Sequence, residues 1–420
     1  MRLSKLVWLA LLSMALLLLG LWTLKPVLVV VSLVPLVYVL LLGMESQLAA
    51  PSLSVTRSAS RTRVMAGDFV EMSVDVRNDG EDIPLLEIED PVPEGATVVT
   101  GTNRELVSLR KGMSHALRYV VRLERRGRYR FGRLAARARD HTTMEFMEKT
   151  SDDTLEVSAI AEVEARRGIA IAPRRTRNWV GLIPSRRIGQ GSEFFSIREY
   201  APGDDIRRIN WKASARHSKL LTNEYVSEQS GDVTVILDAR GSGDVAVGKE
   251  SLIDASVRAA STVSAHVLGA KNRVGLLIFR DCLDMVAPAF GKRQFYRISE
   301  RLIDIKAAGD MPFENIVWLV ERYFPVESLV VVISPLMDRE MVGTIVWFCA
   351  RGFDVVVISP SPVAMAKRTG LLSGIPLRIA ALERSNAISE LAKYARVVDW
   401  DTSISLGAAL KQFAPRRGRR

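Results

Sequence analysis

Two apolar runs at the start of the chain constrain its fold most. Leu6–Leu24 contains no charged side chain, nor does Val27–Gly43, and only Lys25 and Pro26 separate them. Each run is close to the ~20 residues that cross a ~30 Å hydrocarbon core. Proline lacks the N–H needed to continue a helix, so the runs read as two helices joined by a very short turn. A signal peptide would show an apolar stretch of about 7–15 residues with no second one directly behind it. The sequence therefore predicts a transmembrane hairpin over residues 1–45, with both ends on one side. Arg2 and Lys5 precede it and Arg57, Arg61 and Arg63 follow it, against one Lys25 in the turn. The positive-inside bias puts the body of the chain on the cytoplasmic side of the cell membrane. Cysteine usage agrees, because Cys282 and Cys349 are the only two and a secreted chain of this length more often carries disulfides.

The rest of the 420-residue chain is long enough for two or three cores. Residues 52–163 read as a small antiparallel β-sandwich. Phe69–Arg77 alternates apolar and polar residues and ends at Asn78-Asp79-Gly80. Further runs at Thr97–Val99, Leu117–Leu123, Tyr129–Ala138 and Leu155–Ile160 are separated by turn signals. From residue 231 to 414 the rhythm is α/β and Rossmann-like. Strands are expected at Val233–Leu237, Val274–Phe279, Leu283–Val286, Leu329–Ile333, Asp354–Ile358 and Val397–Val398. Helices are expected near 252–267, Phe295–Ile305, Ile316–Phe324, Met341–Ala350, Ala387–Tyr394 and Ile404–Phe413. In such sheets, ligands bind beyond the carboxyl ends of the strands, where Asp238, Arg280, Asp281 and Ser334–Asp338 fall.

The net charge of +11 is concentrated locally, in Arg166, Arg167, Arg174, Arg175 and Arg177 and in a basic tail over 415–420 with Arg416, Arg417, Arg419 and Arg420. Anionic lipid is the nearest large partner for a tethered protein, at about 1 kcal/mol per basic residue. Nucleic acid competes, but no recognisable nucleic-acid module accompanies these arginines. A solvated tail without a partner is the third reading.

Between sandwich and α/β domain, residues 164–230 contain Gly189-Gln-Gly-Ser-Glu-Phe-Phe-Ser-Ile-Arg-Glu-Tyr-Ala-Pro-Gly-Asp-Asp-Ile-Arg-Arg-Ile-Asn-Trp-Lys-Ala-Ser-Ala-Arg216. Pro202-Gly203 suits a type II turn. Asp204 suits a helix N-cap, and Asp204 and Asp205 stand at i,i+4 and i,i+3 from Arg208. Ile206, Ile209 and Ala213 would form the buried stripe of that helix, with Trp211 at its edge. This stretch closely resembles the signature of the domain of unknown function 58 family, as does the layout of hairpin, β-rich region, signature and α/β domain. Asn210 departs from the pattern, where aspartate is expected, and so does Asp140-His141-Thr142, where an Asp-Pro-Phe-Gly-like turn is usual. The resemblance implies a von Willebrand factor A-like domain and a MoxR-type AAA+ ATPase partner acting in protein assembly or maturation. The candidate partner surface, or alternatively an inter-domain belt, is Gly189, Gly191, Glu193, Phe194, Arg198, Tyr200, Pro202, Gly203, Asp204, Asp205, Arg207, Trp211 and Arg216.

The resemblance also raises a Mg²⁺ site of the Asp-x-Ser-x-Ser type, whose hydroxyls and carboxylates suit a hard ion. Asp238 and Ser242 match it, with Asp338 as a later acid, but Arg240 replaces the first serine. A fixed guanidinium beside a divalent cation is unfavourable. The loop at Gly309-Asp310-Met311-Pro312 lacks the expected threonine, and Ser334-Pro335 stands where a later aspartate belongs. A degenerate site is therefore expected and no resident cofactor, or else Arg240 standing in for the cation toward a partner's carboxylate. His115, His141, His217 and His266 are scattered, and no Gly-x-Ser-x-Gly elbow is present. Gly189-x-Gly191 makes a poor phosphate loop. The expected function is a membrane-anchored scaffold without catalytic residues; a Mg²⁺-dependent binding domain and a hydrolase are the alternatives.

Overall fold

The computed structural model describes residues 5–45, 52–139, 146–150, 153–164, 184–228, 231–247, 250–312, 320, 322–323, 328–371 and 373–412. The chain divides into two compact units, Met1–Ile160 and Ala161–Arg420.

In the first unit, α1 (Lys5–Thr23) and α2 (Pro26–Glu45) form the expected helical hairpin. Leu24 takes φ 52°, and Lys25 donates its N–H to the carbonyl of Gly20 at 3.2 Å, which closes the turn. Small residues meet between the helices. Ser13 Oγ donates to the carbonyl of Ser32 at 2.9 Å, and a Cβ on Gly20 would lie 3.0 Å from Val29. The large apolar residues point away instead, with Trp22 84% and Val27 70% exposed. The described side chains run from Val7 to Tyr38. Among the described residues no helix is long and apolar enough to cross a membrane.

The β-rich part has one four-stranded sheet of β1 (Leu53–Ala59), β3 (Phe69–Asn78), β7 (Ser114–Leu123) and β5 (Ala96–Gly101). A second contains β10 (Phe146–Thr150), β9 (Ala135–Arg139), β4 (Ile83–Glu89) and β6 (Arg104–Leu109). A third joins β2 (Arg63–Met65), β11 (Leu155–Ile160) and β8 (Gly127–Phe131), with β2 and β11 parallel. All three sheets feed one core, to which the alternation in β3 contributes Val70, Met72, Val74 and Val76, all fully buried. The expected single run Tyr129–Ala138 is two strands, β8 and β9, in different sheets; the chain leaves the ladder at Gly132–Leu134. Across this core, buried Arg57 donates to both oxygens of Asp90 at 2.5 and 3.3 Å, and Tyr119 donates its hydroxyl to the same carboxylate at 2.5 Å. Burial and that carboxylate push the Tyr119 phenol well above its ordinary value.

The second unit opens with β12 (Pro184–Glu199) and β13 (Leu221–Glu228), an antiparallel ladder enclosing α3 (Trp211–His217). Its main sheet contains β14 (Asp232–Asp238), β17 (Arg273–Phe279), β18 (Leu283–Ala289), β19 (Leu329–Ile333), β20 (Asp354–Pro360) and β21 (Arg396–Trp400). A small ladder of β15 (Ala246–Val247) and β16 (Glu250–Ser251) precedes α4 (Leu252–Gly269). The sheet order is β18-β17-β14-β19-β20-β21, parallel except for β18. This is a doubly wound sheet whose order reverses between β14 and β19, the place where such folds form a crevice. One face is covered by α4, α5 (Gly291–Ile303) and α9 (Leu406–Gln412), the other by α6 (Arg339–Ala350) and the end of α8 (Gly374–Leu391).

Two helices were not legible in the sequence. α7 (Pro362–Thr369) and α8 occupy a stretch where only Ala387–Tyr394 reads as helical. Its apolar residues are spread around the helix, with Ile375, Ile379 and Leu382 exposed and Leu391 buried, so no single apolar face marks it. Asp140, His141, Thr142, the arginines at 166, 167, 174, 175 and 177, most of Ile316–Phe324 and the basic tail lie outside the described residues.

Candidate functional site

The signature stretch folds as an arm on β12 and β13. Ala201-Pro202-Gly203-Asp204 is the expected type II turn. Asp204 donates its N–H to the carbonyl of Ala201 at 3.0 Å, and Gly203 takes φ 109°. Asp204 does not cap a helix. Its carboxylate receives both terminal nitrogens of Arg198 at 2.7 and 2.6 Å and the N–H of Ala201 at 2.9 Å. The Arg198 hydrogen bonds, aided by that N–H, hold the Asp204 carboxyl below the usual range and raise the arginine in return. Arg198 Nε also donates to Glu224 on β13 at 2.9 Å, and Ser196 donates to the other Glu224 oxygen at 2.5 Å. Arg198 is thus the hub that fixes the turn to both strands.

The expected continuous helix from Asp204 is two pieces. Asp205 caps a single 3-10 turn, Ile206–Arg208, by accepting from Arg207 N–H. Ile209 returns to extended geometry and bridges to Thr222, and Asn210 caps α3 by accepting from Ala213 N–H at 3.0 Å. The departure at Asn210 has a use. Its Nδ2 donates to Asn223 Oδ1 at 2.9 Å, which a carboxylate could not do. Ile209 is buried, but Ile206 is 66% exposed and so leaves the expected stripe. Tyr200 is half-buried, with its hydroxyl 3.4 Å from the carbonyl of Asp204. Phe194 and Trp211 are exposed, as are Arg207, Lys212 and Arg216. Gly189, Gly191 and Glu193 lie on β12, and the surroundings of the Glu193 side chain fall outside the described residues.

The second candidate lies at the switch point of the main sheet, where Asp238 and Asp338 meet around Arg240. Buried Arg240 sits among the carboxylates. Its Nε donates to Asp238 Oδ1 at 3.1 Å, and one terminal nitrogen reaches Asp338 Oδ2 at 3.2 Å and Glu340 Oε2 at 3.4 Å. Burial pulls the guanidinium pKa down, but the hydrogen bonds and charges of Asp238 and Asp338 outweigh it and raise it. Ser334 donates to the second oxygen of Asp238 at 2.7 Å. Asp338 caps α6 through Glu340 N–H, which with Arg240 holds its carboxyl below the usual range. Ser242 does not join Asp238; its N–H donates to Asp310 at 3.2 Å. The residual void beside Asp238 and Arg240 is ≈ 10 Å³, the size of one water. These residues do not fit a divalent ion, because a permanent cation already neutralises them. Among the described residues no group of three His, Cys, Asp or Glu side chains is arranged to hold a metal.

A third feature escaped the sequence. Arg384 of α8 is buried and reaches three strand ends, donating to Asp399 Oδ1 at 2.7 Å, the carbonyl of Pro335 at 2.8 Å and Ser359 Oγ at 2.9 Å. Nothing local marks this arginine, since its partners are 15, 49 and 25 residues away.

Comparison with known proteins agrees with the resemblance. Residues 196–362 match the family described as "Protein of unknown function DUF58". The Bacillus subtilis "Uncharacterized protein YeaD" is 27% identical over 213 residues, covering 48% of this chain and 51% of that protein. "Uncharacterized protein Rv1480" of Mycobacterium tuberculosis is 31% identical over 124 residues, 30% of this chain and 38% of that one. The chain thus matches about half or less of these relatives. Among solved structures, the CARDB domain of a Pyrococcus furiosus protein, in complex with di-metal ions, is 20% identical. It covers 28% of this chain and 100% of its own at TM-score 0.21. A FixG-related protein from Vibrio parahaemolyticus is 8% identical, covering 26% of this chain and 98% of its own at TM-score 0.19. Scores this low establish no shared fold.

Proposed function

We propose, for a chain whose residues 196–362 carry this family's domain, a membrane-anchored scaffold that docks a protein partner on the signature arm. The observation that carries it is the outer face of the arm. Ile206 and Trp211, both more than 60% exposed, stand beside Arg207, Lys212 and Arg216, whose side chains find no partner among the described residues. Tryptophan with arginine is the composition of interface hot spots, and the Arg198–Asp204–Glu224 lattice holds this face in shape before a partner arrives. The partner's surface is then acidic around an apolar pocket for Trp211. The resemblance suggests a MoxR-type AAA+ ATPase in protein assembly or maturation, and a von Willebrand factor A-like role for the α/β domain. The hairpin supports anchoring: its apolar side chains face outward and its serines inward, the arrangement expected in lipid, with the body on the cytoplasmic side. Arg240 saturates the switch-point acids, which favours a binding role over hydrolysis or Mg²⁺ dependence.

The test is co-purification from detergent extracts, full-length wild type against Trp211→Ala/Arg216→Glu, with mass spectrometry of bound proteins. An ATPase held by wild type and lost by a normally melting variant supports the arm as the docking face. The same partners on both proteins would reject it.

A further inference from the structure

A cleft of ≈ 860 Å³ lies between α6, α7 and α8, within the size range of ligand sites. Val342 and Val346 of α6, Val363 and Ala366 of α7 and Ala387 of α8 give it an apolar lining. Glu383 and Glu390 line it too, seven residues apart and so on one face of α8. Both are exposed and find no partner among the described residues. Asp338 and Arg384, also in the lining, are engaged with Arg240 and Asp399. Arg339 is exposed there, but the two glutamates outweigh it. A neighbouring face of α8 exposes Ile375, Ile379 and Leu382 at i, i+4 and i+7, so apolar surface continues along the helix.

The signature arm carries the opposite surface. Trp211 and Ile206, 63% and 66% exposed, stand where the chain turns from β12 to β13, beside Arg207, Lys212 and Arg216. Lys212 and Arg216 are four residues apart on α3, hence ~6 Å apart along its axis. Basic side chains around an exposed indole match an apolar cleft edged by two carboxylates, in hydropathy and in charge. Within one copy the two surfaces do not meet, because Trp211 stays exposed.

We propose that the arm of one copy seats Trp211 in this cleft of a second copy, with its cations against Glu383 and Glu390. Resting on the reading of the arm as a docking face, this contact is head to tail. Each pair leaves one arm and one cleft unused, so copies add on in a row or close into a ring. An arm seated on a neighbour is hidden from any other partner. Ion pairs at an exposed rim are screened by salt, whereas burial of the indole is not, so association weakens at high ionic strength without vanishing.

The test is sedimentation of the full chain in density-matched detergent over a range of concentrations. Wild type should grow in mass as concentration rises. Glu383→Lys/Glu390→Lys and Arg207→Glu/Lys212→Glu/Arg216→Glu should each weaken association about tenfold or more, since like charges then face each other. Melting temperatures should stay unchanged, because all five side chains are exposed. An equal mixture of the two variants decides the geometry. The intact arm of one fits the intact cleft of the other, so the mixture should form pairs and nothing larger. A monomeric wild type, variants that associate as wild type does, or a mixture that stays monomeric would each overturn the proposal.

Benzophenone in place of Ala215, exposed on α3, gives an independent readout. Cross-links to α6 or α8 of a differently tagged copy support the contact, and cross-links confined to its own copy reject it. The cleft variant keeps its arm and so separates this contact from the proposed ATPase partner. An ATPase captured equally by that variant and by a monomeric wild type rejects the self-contact alone. Self-association with no ATPase captured by either protein rejects the ATPase reading alone.

Discussion

Arg240 stands two residues after Asp238 and lays its guanidinium on that aspartate's carboxylate, Nε to Oδ1 at 3.1 Å, with both side chains buried. At the position where a doubly wound sheet usually receives a ligand, the chain supplies its own cation. Arg240→Ala leaves Asp238 buried and unpaired, which costs about 3–5 kcal/mol. Chemical denaturation measures that loss. Millimolar Mg²⁺ or Ca²⁺ should then raise the melting temperature of the variant and leave wild type unmoved, since a ligand stabilises only a native state it can bind.

The Arg57–Asp90–Tyr119 cluster makes a comparable prediction for the β-rich unit. Asp90→Ala strands a buried guanidinium and should destabilise that unit by about 3–5 kcal/mol. Tyr119→Phe removes one hydrogen bond to a charged acceptor, worth about 1.5–3 kcal/mol. A double-mutant cycle in urea should give a combined loss smaller than the sum, because both act on one carboxylate.

Acid stability should report on Asp338. Glu340 N–H and Arg240 hold its folded pKa below the ordinary aspartate value. Its contribution is therefore complete above about pH 4 and is lost as pH falls through the lower folded value. Asp338→Asn can still cap α6 but carries no charge. Its stability should fall less steeply than wild type below about pH 4 and run parallel to it near neutrality.

The cysteines should separate by environment. Cys282 is exposed, while Cys349 is half-buried and its thiol is pushed up by burial and by Asp354. A disulfide reagent at neutral pH should label Cys282 at once and Cys349 only as the α/β unit opens. The thiolate is the reactive form, so labelling of Cys349 tracks unfolding. Prompt modification of both would contradict the packing of α6.

What was readable in the sequence follows from how each element earns its stability. β14 and β19 are buried on both faces, so their β-branched, mostly apolar runs announced them, and the alternation of β3 did the same for a strand with one wet face. The Pro202-Gly203 turn was legible because its dihedrals demand those residues. The helix proposed from Asp204 was not, because Arg198, six residues back, takes that carboxylate across the turn, a contact no helical spacing contains. α8 was missed for a related reason: what holds it is one guanidinium with distant partners rather than a periodic face. The switch-point residues were half legible. Asp238 and Asp338 do converge, but the residue that replaces a hydroxyl, Arg240, brings them together, and Ser242 turns to Asp310 instead.

α8 is about 27 Å long at 1.5 Å per residue, and its buried anchors, Arg384 and Leu391, both lie in its second half. Mechanically it is a cantilever. The ten residues before Arg384 contain no fully buried side chain, with Ile375, Ile379 and Leu382 exposed, and Arg384 is the first buried anchor after them. A load on that half meets Arg384 first, a side chain that hydrogen-bonds at β20, at β21 and just beyond the end of β19, before it reaches Leu391.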